Sequence, residues 1–258
     1  MTTRGATPAG TPIEVRFEQR DEIGIGVVAP FDFALDRELW DCVPPHVTLY
    51  LTRTPAVAMP VDVTFAEEVG DPDVVARAVA DLAACEPAVT VYACTSGSFV
   101  GGVAGEAALR TAMEAAAGRP ALTTSGALVE ALRACNARRV AVATPYTAAL
   151  SDRLVTFLAE AGFTPAGVAD LGLTGAIPAV STATVTDLVL AASGFDADAI
   201  FVSCTNLRTL HVLPDLEQRV GRPVISANQV TMWSALRLAR ALSDPPDPRL
   251  FGAALSRA

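Results

Sequence analysis

The sequence predicts an α/β protein built from two pseudo-symmetric halves, each a parallel sheet covered by helices, with a cleft between them. Three observations lead there. Short β-branched runs alternate with Ala/Leu/Arg-rich amphipathic segments, which is the pattern of βαβ units. The chain also repeats itself weakly: residues 89–95 (Val-Thr-Val-Tyr-Ala-Cys-Thr) resemble 200–205 (Ile-Phe-Val-Ser-Cys-Thr), and 129–133 resemble 233–237. In each copy an apolar strand ending in Cys-Thr is followed by a helix, a short strand and an Ala-Leu-Arg helix. Finally, 258 residues with 51% hydrophobic and 18% charged composition have room for two compact units with a real core.

Taken in order, strands are expected at 23–29, 47–52, 89–93, 140–143, 199–203 and 224–226, with weaker signals at 121–123 and 167–171. Helices are expected at 73–85, 105–117, 127–133, 147–161, 185–192, 213–220 and 229–242. Asp71 before Pro72 and Thr147 after Tyr146 mark helix entries, and Gly162 marks a stop. The Pro-rich run at 244–248 is expected to break the last helix. Residues 1–14 are polar, rich in Thr, Gly and Pro, and read as a disordered tail without a signal peptide. The halves are read as flavodoxin-like domains, the first comprising 15–125 with 227–258 and the second 126–226. The charge-free stretch 87–105 has membrane-spanning length. Its central Cys94-Thr95-Ser96-Gly97-Ser98 and Gly101-Gly102 instead indicate a buried strand entering a polar turn.

Composition removes several chemistries. All 19 basic residues are arginine, against 28 acidic residues and a net charge of −9, with no basic run. Neither a nucleic acid nor a membrane surface is therefore an expected partner. The absence of lysine excludes Schiff-base chemistry, pyridoxal phosphate included, and the P-loop. His46 and His211 are the only histidines, so a multi-histidine metal site is excluded. His46 is expected at a strand edge and His211 at the surface or cleft rim. Gly24-x-Gly26-x-x-Ala29 has dinucleotide-motif spacing but lies inside the first strand, where no phosphate turn forms. No cofactor is expected. The five cysteines form no CxxC pair and are odd in number, which suggests reduced thiols in the cytoplasm.

Ligands of open parallel sheets bind beyond the carboxyl ends of strands. Cys94 and Cys204 both stand there, so two facing halves would bring their thiols to opposite sides of one cleft. The turn beginning at Cys94 can aim N–H groups and hydroxyls at an anion, and the same donors are expected to favour a thiolate. Cys42, Cys85 and Cys135 are read as structural. Arg53 is read as an ion-pair or carboxylate-binding residue. Two thiols can racemise a carbon next to a carboxylate, one removing and the other donating a proton. One thiolate can also add to an activated double bond, allow rotation, and leave. A single thiol suffices to protonate the enediolate of a decarboxylation.

Tyr92-Ala93-Cys94-Thr95-Ser96-Gly97-Ser98, Ala143-Thr144-Pro145-Tyr146 and Val202-Ser203-Cys204-Thr205-Asn206 resemble the aspartate/glutamate/hydantoin racemase superfamily. Within it the chain is most similar, over residues 22–242, to the maleate cis-trans isomerase and arylmalonate decarboxylase branch and its ectoine-utilisation members. The resemblance implies Cys94 as nucleophile or first acid/base, Cys204 as its partner, and Tyr146 as a hydrogen-bond donor to a substrate carboxylate. Thr95, Ser96, Thr205 and Asn206 are implied in binding the substrate. Maleate isomerases carry a substrate-binding Asn just after the proline that ends the first strand, where this chain reads Pro30-Phe31-Asp32-Phe33. Asp32 would repel a dicarboxylate or bind a substrate ammonium; as a loop residue it would otherwise be solvated. A second substrate Asn has no counterpart in 171–176. Arylmalonate decarboxylases keep only the second cysteine, so Cys94 favours isomerisation or racemisation. The expected function is a cofactor-independent two-cysteine isomerase or racemase of a small carboxylate or amino acid, and the resemblance implies a role in ectoine catabolism. The alternatives are a decarboxylase using Cys204 and a non-catalytic two-lobed carboxylate-binding protein. An exposed helix face would suit a homodimer.

Overall fold

The computed structural model describes residues 22–242. The first half runs β1 (Ile23–Ala29), α1 (Asp36–Trp40), β2 (Val47–Arg53), α2 (Val63–Val69), α3 (Pro72–Asp81), β3 (Val89–Tyr92), α4 (Thr95–Phe99), α5 (Gly102–Ala117), β4 (Ala121–Thr123) and α6 (Thr124–Ala134). The second runs β5 (Arg139–Thr144), α7 (Ala148–Glu160), β6 (Thr164–Asp170), α8 (Thr182–Ala192), β7 (Ala199–Val202), α9 (Leu213–Val220), β8 (Val224–Ser226) and α10 (Ala227–Leu238). The tail expected at 1–14 and the Pro-rich run at 244–248 lie outside the described residues.

The strands form two four-stranded sheets of matching order, β2-β1-β3-β4 and β6-β5-β7-β8, with every pairing parallel. The inner strands β3 (VTVY) and β7 (AIFV) are buried at every position, as expected of parallel strands covered on both faces. That burial carries the stretch 89–93 into the core and releases Cys94 at its end. Gly24 in β1 is a packing glycine, since a Cβ there would sit 2.4 Å from the Tyr50 ring. Among the described residues no helix is long and apolar enough to cross a membrane.

Several boundaries differ from expectation, each for a local or long-range reason. The polar turn at 94–98 is a one-turn helix, α4, with Cys94 as its N-cap. Helix α5 starts at Gly102 because the Glu160 carboxylate, from α7, accepts the Val103 N–H at 2.8 Å. The helix expected over 73–85 ends at Asp81 and is followed by a 3-10 turn at Ala83–Cys85, closed by Glu86 at φ 50°. Cys85 is therefore exposed and not part of the core. The last helix stops at Leu238, well before the prolines. Arg240 takes φ 56° and the Ala241 N–H returns to Leu236 O at 2.8 Å, a helix closure of the left-handed kind.

The halves are joined by packing and by hydrogen bonds. Thr124 and Thr231 hydroxyls lie 2.8 Å apart between α6 and α10, and Ser234 donates to Glu130 across the same seam. Phe99 of α4 meets Tyr146 of the second half edge to face, with centroids 6.2 Å apart. Glu38 on α1 is buried and accepts from the Thr209 N–H (3.0 Å), the Thr209 hydroxyl (2.7 Å) and the Leu210 N–H (2.9 Å).

Candidate active site

On the first half, β3 delivers Cys94 in extended conformation (φ −142°) at the head of α4. Its sulfur accepts the Gly97 N–H at 3.4 Å and lies 3.8 Å from the Ser96 hydroxyl. The Tyr92 phenol also reaches it, while its hydroxyl donates to Val69 O. The Ser98 hydroxyl bonds Cys94 O at 2.6 Å and is itself held by Ser125 of α6 at 2.7 Å. The turn is thus fixed from behind by side chains with no role at the sulfur.

It is also fixed by close backbone approach. A Cβ on Gly70, which caps α2, would stand 2.2 Å from Gly97 O. Gly70→Ala must therefore displace the residue whose N–H faces the Cys94 sulfur. We expect a loss of about 1–3 kcal/mol in stability, measured by urea denaturation, together with a lower turnover number for any reaction of the cavity.

On the second half, β7 ends in Ser203 and Cys204. Cys204 sits at φ 89°, a region costing a non-glycine residue about 1–3 kcal/mol and typical of functional turns. Its sulfur accepts the Asn206 N–H at 3.4 Å, and the Tyr146 phenol lies beside it. Asn228 at the start of α10 donates to Thr205 O at 2.9 Å, holding this turn from behind much as Ser125 holds the other.

Both sulfurs line one cavity of about 20 Å³, room for about one water. Thr95, Ser96, Tyr146, Thr205, Asn206 and Asp32 line it too, so every site residue expected from the sequence converges there. Thr95 is buried, and its hydroxyl has no hydrogen-bond partner in the protein. The Asn206 amide is committed to the backbone: Oδ1 accepts Ala34 N–H at 2.9 Å and Nδ2 donates to Asp32 O at 3.2 Å. It orients the segment that carries Asp32. Sequence reasoning missed the apolar cover, Val61 and Phe65 from the first half and Ile177 from the second. The Val61 N–H bonds Thr174 O at 2.8 Å, fastening that cover across the cleft.

Other polar candidates lie elsewhere. Arg53 pairs with Asp36 at 2.6 Å and stacks on Phe33, and it does not line the cavity. His211 is exposed, 3.7 Å from Asp41, and His46 is exposed just before β2. Cys42 is buried in the core, and Cys135 is half-buried at the end of α6.

The expectation of a favoured thiolate is corrected by burial. Desolvation pushes the Cys94 thiol up, against the lowering effects of Tyr92, Gly97 N–H and Ser96. Burial pushes Cys204 up to about 12, with Tyr146 and the Asn206 N–H opposing and the neighbouring Cys94 and Asp32 charges adding. In the ligand-free cavity both sulfurs are thiols at neutral pH. Burial likewise raises the Tyr92 and Tyr146 phenols, which stay protonated and able to donate.

The sign of the pH dependence follows. A thiol ionises at about 8.5 when unfolded but holds its proton higher when folded, so above that pH the unfolded state binds fewer protons. Stability is then complete below about pH 8.5 and falls as pH rises towards the folded values. Urea denaturation between pH 7 and 10 should record the decline, and Cys204→Ser should reduce it. Iodoacetamide labelling of Cys94 should still be accelerating above pH 9.

The arylmalonate decarboxylase family model matches residues 63–249. Arylmalonate decarboxylase of Bordetella bronchiseptica is 44% identical over 163 residues, 61% of this chain and 68% of that protein. Maleate isomerase of Nocardia farcinica is 35% identical over 175 residues, 62% of this chain and 67% of the other. A crystal structure of arylmalonate decarboxylase superposes with TM-score 0.76 and 32% identity, covering 91% of this chain and 100% of that one. A structure of a cysteine-to-serine mutant of the Nocardia farcinica maleate cis-trans isomerase, with a covalently bound succinylcysteine intermediate, gives TM-score 0.77 and 25% identity, covering 91% and 98%. Family model, relatives and fold agree: the chain belongs to the arylmalonate decarboxylase family, in the branch where maleate isomerases also match it.

Proposed function

We propose that the protein is a cofactor-independent isomerase or racemase of a small carboxylate, working through Cys94 and Cys204. The observation that carries this reading is the pair of sulfurs, from equivalent strand ends, lining one cavity. Thr95, Ser96, Thr205 and the Tyr146 phenol supply donors for a substrate carboxylate, most directly the unpaired Thr95 hydroxyl.

The Gly97 N–H donates to the Cys94 sulfur and the Ser96 hydroxyl lies beside it; in this reading Cys94 acts as the thiolate and Cys204 as the acid. In isomerisation the Cys94 thiolate forms a bond to one alkene carbon. The π pair moves towards the carboxylate, where the hydroxyl donors hold the developing charge. The Cys204 thiol protonates the second carbon; rotation about the new single bond, return of that proton to Cys204 and expulsion of the Cys94 thiolate then give the trans acid. In racemisation Cys94 removes the proton from the carbon next to the carboxylate, and Cys204 delivers one to the opposite face. The succinylcysteine intermediate of the Nocardia farcinica isomerase supports the addition route. The ectoine-catabolic role implied by sequence resemblance is part of the proposal and rests on that resemblance.

A second reading, decarboxylation with Cys204 as sole proton donor, is favoured by the 44% identity to the Bordetella decarboxylase. Incubation with a panel of small mono- and dicarboxylates in heavy water separates the two. Geometric isomerisation, or deuterium incorporation with retention of every carboxylate, is the expected result. Carbon dioxide release without either would favour the second reading, and no reaction across the panel would defeat both.

A further inference from the structure

Twelve residues line the cavity, and one of them, Asp32, is an acid, while none is an arginine or histidine. Asp32 is half-buried and its carboxylate is met by its own backbone N–H. Arg53, whose strand partner is Ala29, is occupied by Asp36 at 2.6 Å and by Phe33 O at 3.4 Å. The segment is not loosely held, because Asn206 fastens it on both sides of Phe33. Asp32 is therefore held in the cavity wall, and among the described residues that line the cavity none is a cation. Burying a carboxylate this way is unfavourable unless something positive joins it. Its negative field also reaches both sulfurs and opposes their ionisation, which hinders the chemistry the cavity is read to perform.

We propose that the missing cation comes from the substrate: an ammonium group set against Asp32, with the substrate carboxylate on the Thr95–Ser96 side. This inference rests on the reading of the cavity as the reaction site and narrows its substrate to an amino acid. A diacid without nitrogen would bring a second like charge against Asp32, so the residue selects by repulsion as well as attraction. An ammonium would also cancel the Asp32 field at Cys94, which adds to the larger effect of desolvation there, and the correct substrate would thereby ease formation of its own base. Asp32 is in this view a specificity-determining residue, and Asn206 is the positioning residue behind it.

The test is calorimetric titration at pH 7.5 of the full chain with matched pairs: propionate and alanine, succinate and aspartate, glutarate and glutamate. At least one amino member should bind about tenfold or more tightly than its partner, a difference of about 1.4 kcal/mol. Asp32→Asn should abolish or reverse that preference. Asp32→Ser provides a second variant, and thermal melts verify that both are folded. Equal or tighter binding of every nitrogen-free partner, an unchanged ratio in the folded variants, or failure of every amino member to bind overturns the inference. Heavy-water incubation of the same ligands keeps the two ideas apart. An Asp32-dependent preference without deuterium uptake or isomerisation defeats the reaction and leaves Asp32 as selector. Uptake confined to nitrogen-free acids does the reverse.

Discussion

Cys204→Ala should lower turnover by about 10³-fold or more whichever reaction the cavity performs, because each route needs its proton at the reacting carbon. Cys94→Ala should cost as much in isomerisation or racemisation, yet leave a decarboxylation largely intact. The pair of variants thus divides the family's chemistries in one experiment. Substrate affinity should change far less than turnover, since in the proposed arrangement the carboxylate is held by Thr95, Ser96 and Tyr146 and not by sulfur. Both thiols are buried, so alanine leaves small voids, and melting temperatures must accompany the kinetics. Unchanged turnover in both folded variants would remove the two-thiol mechanism.

Glu38→Ala should be the most damaging change to stability away from the cavity. The carboxylate collects three donors from Thr209 and Leu210 of the opposite half. Its loss leaves two buried N–H groups and a hydroxyl without their acceptor, each worth about 1–3 kcal/mol. A total of about 3 kcal/mol is expected after water or local relaxation recovers part of it, read as a lower urea midpoint. Glu38→Gln keeps one carbonyl acceptor and should cost less than half as much. The contact lies just beyond the Cys204 turn, so Glu38→Ala should also reduce turnover more than any effect on affinity. A midpoint within about 0.5 kcal/mol of wild type, the range of ordinary surface substitutions, would mean that the staple is dispensable.

The elements that sequence reasoning placed best are those set by local pattern. Strands at 23–29, 121–123 and 224–226 and the helix at 213–220 have the expected limits. Asp71 caps α3 through bonds to Asp73 and Val74 N–H, as its position before Pro72 implied. Boundaries set by distant partners were not legible. The start of α5 depends on a carboxylate 57 positions away, and α10 is ended by a left-handed Arg240 that no glycine or asparagine announces. Helix α2 went unseen although Asp62 caps it at Phe65 N–H. It is short, and its apolar face covers the cavity instead of repeating along a longer helix.

Cys94 and Cys204 could be found in the sequence because a duplicated strand-end pattern marks both and parallel sheets gather their strand ends on one edge. The cover of Val61, Phe65 and Ile177, the seat of Glu38 and the Gly70–Gly97 approach belong to the tertiary structure, since each joins segments with no shared local signal. The same holds for thiol acidity. Sequence supplied the donors around each sulfur, but the proton's affinity is set by their balance against desolvation, which exists only once the halves close over the cavity. Residue types and periodicity determined which atoms could react; the packing of one half on the other decided how dry they are, what faces them and which charge is left without a partner.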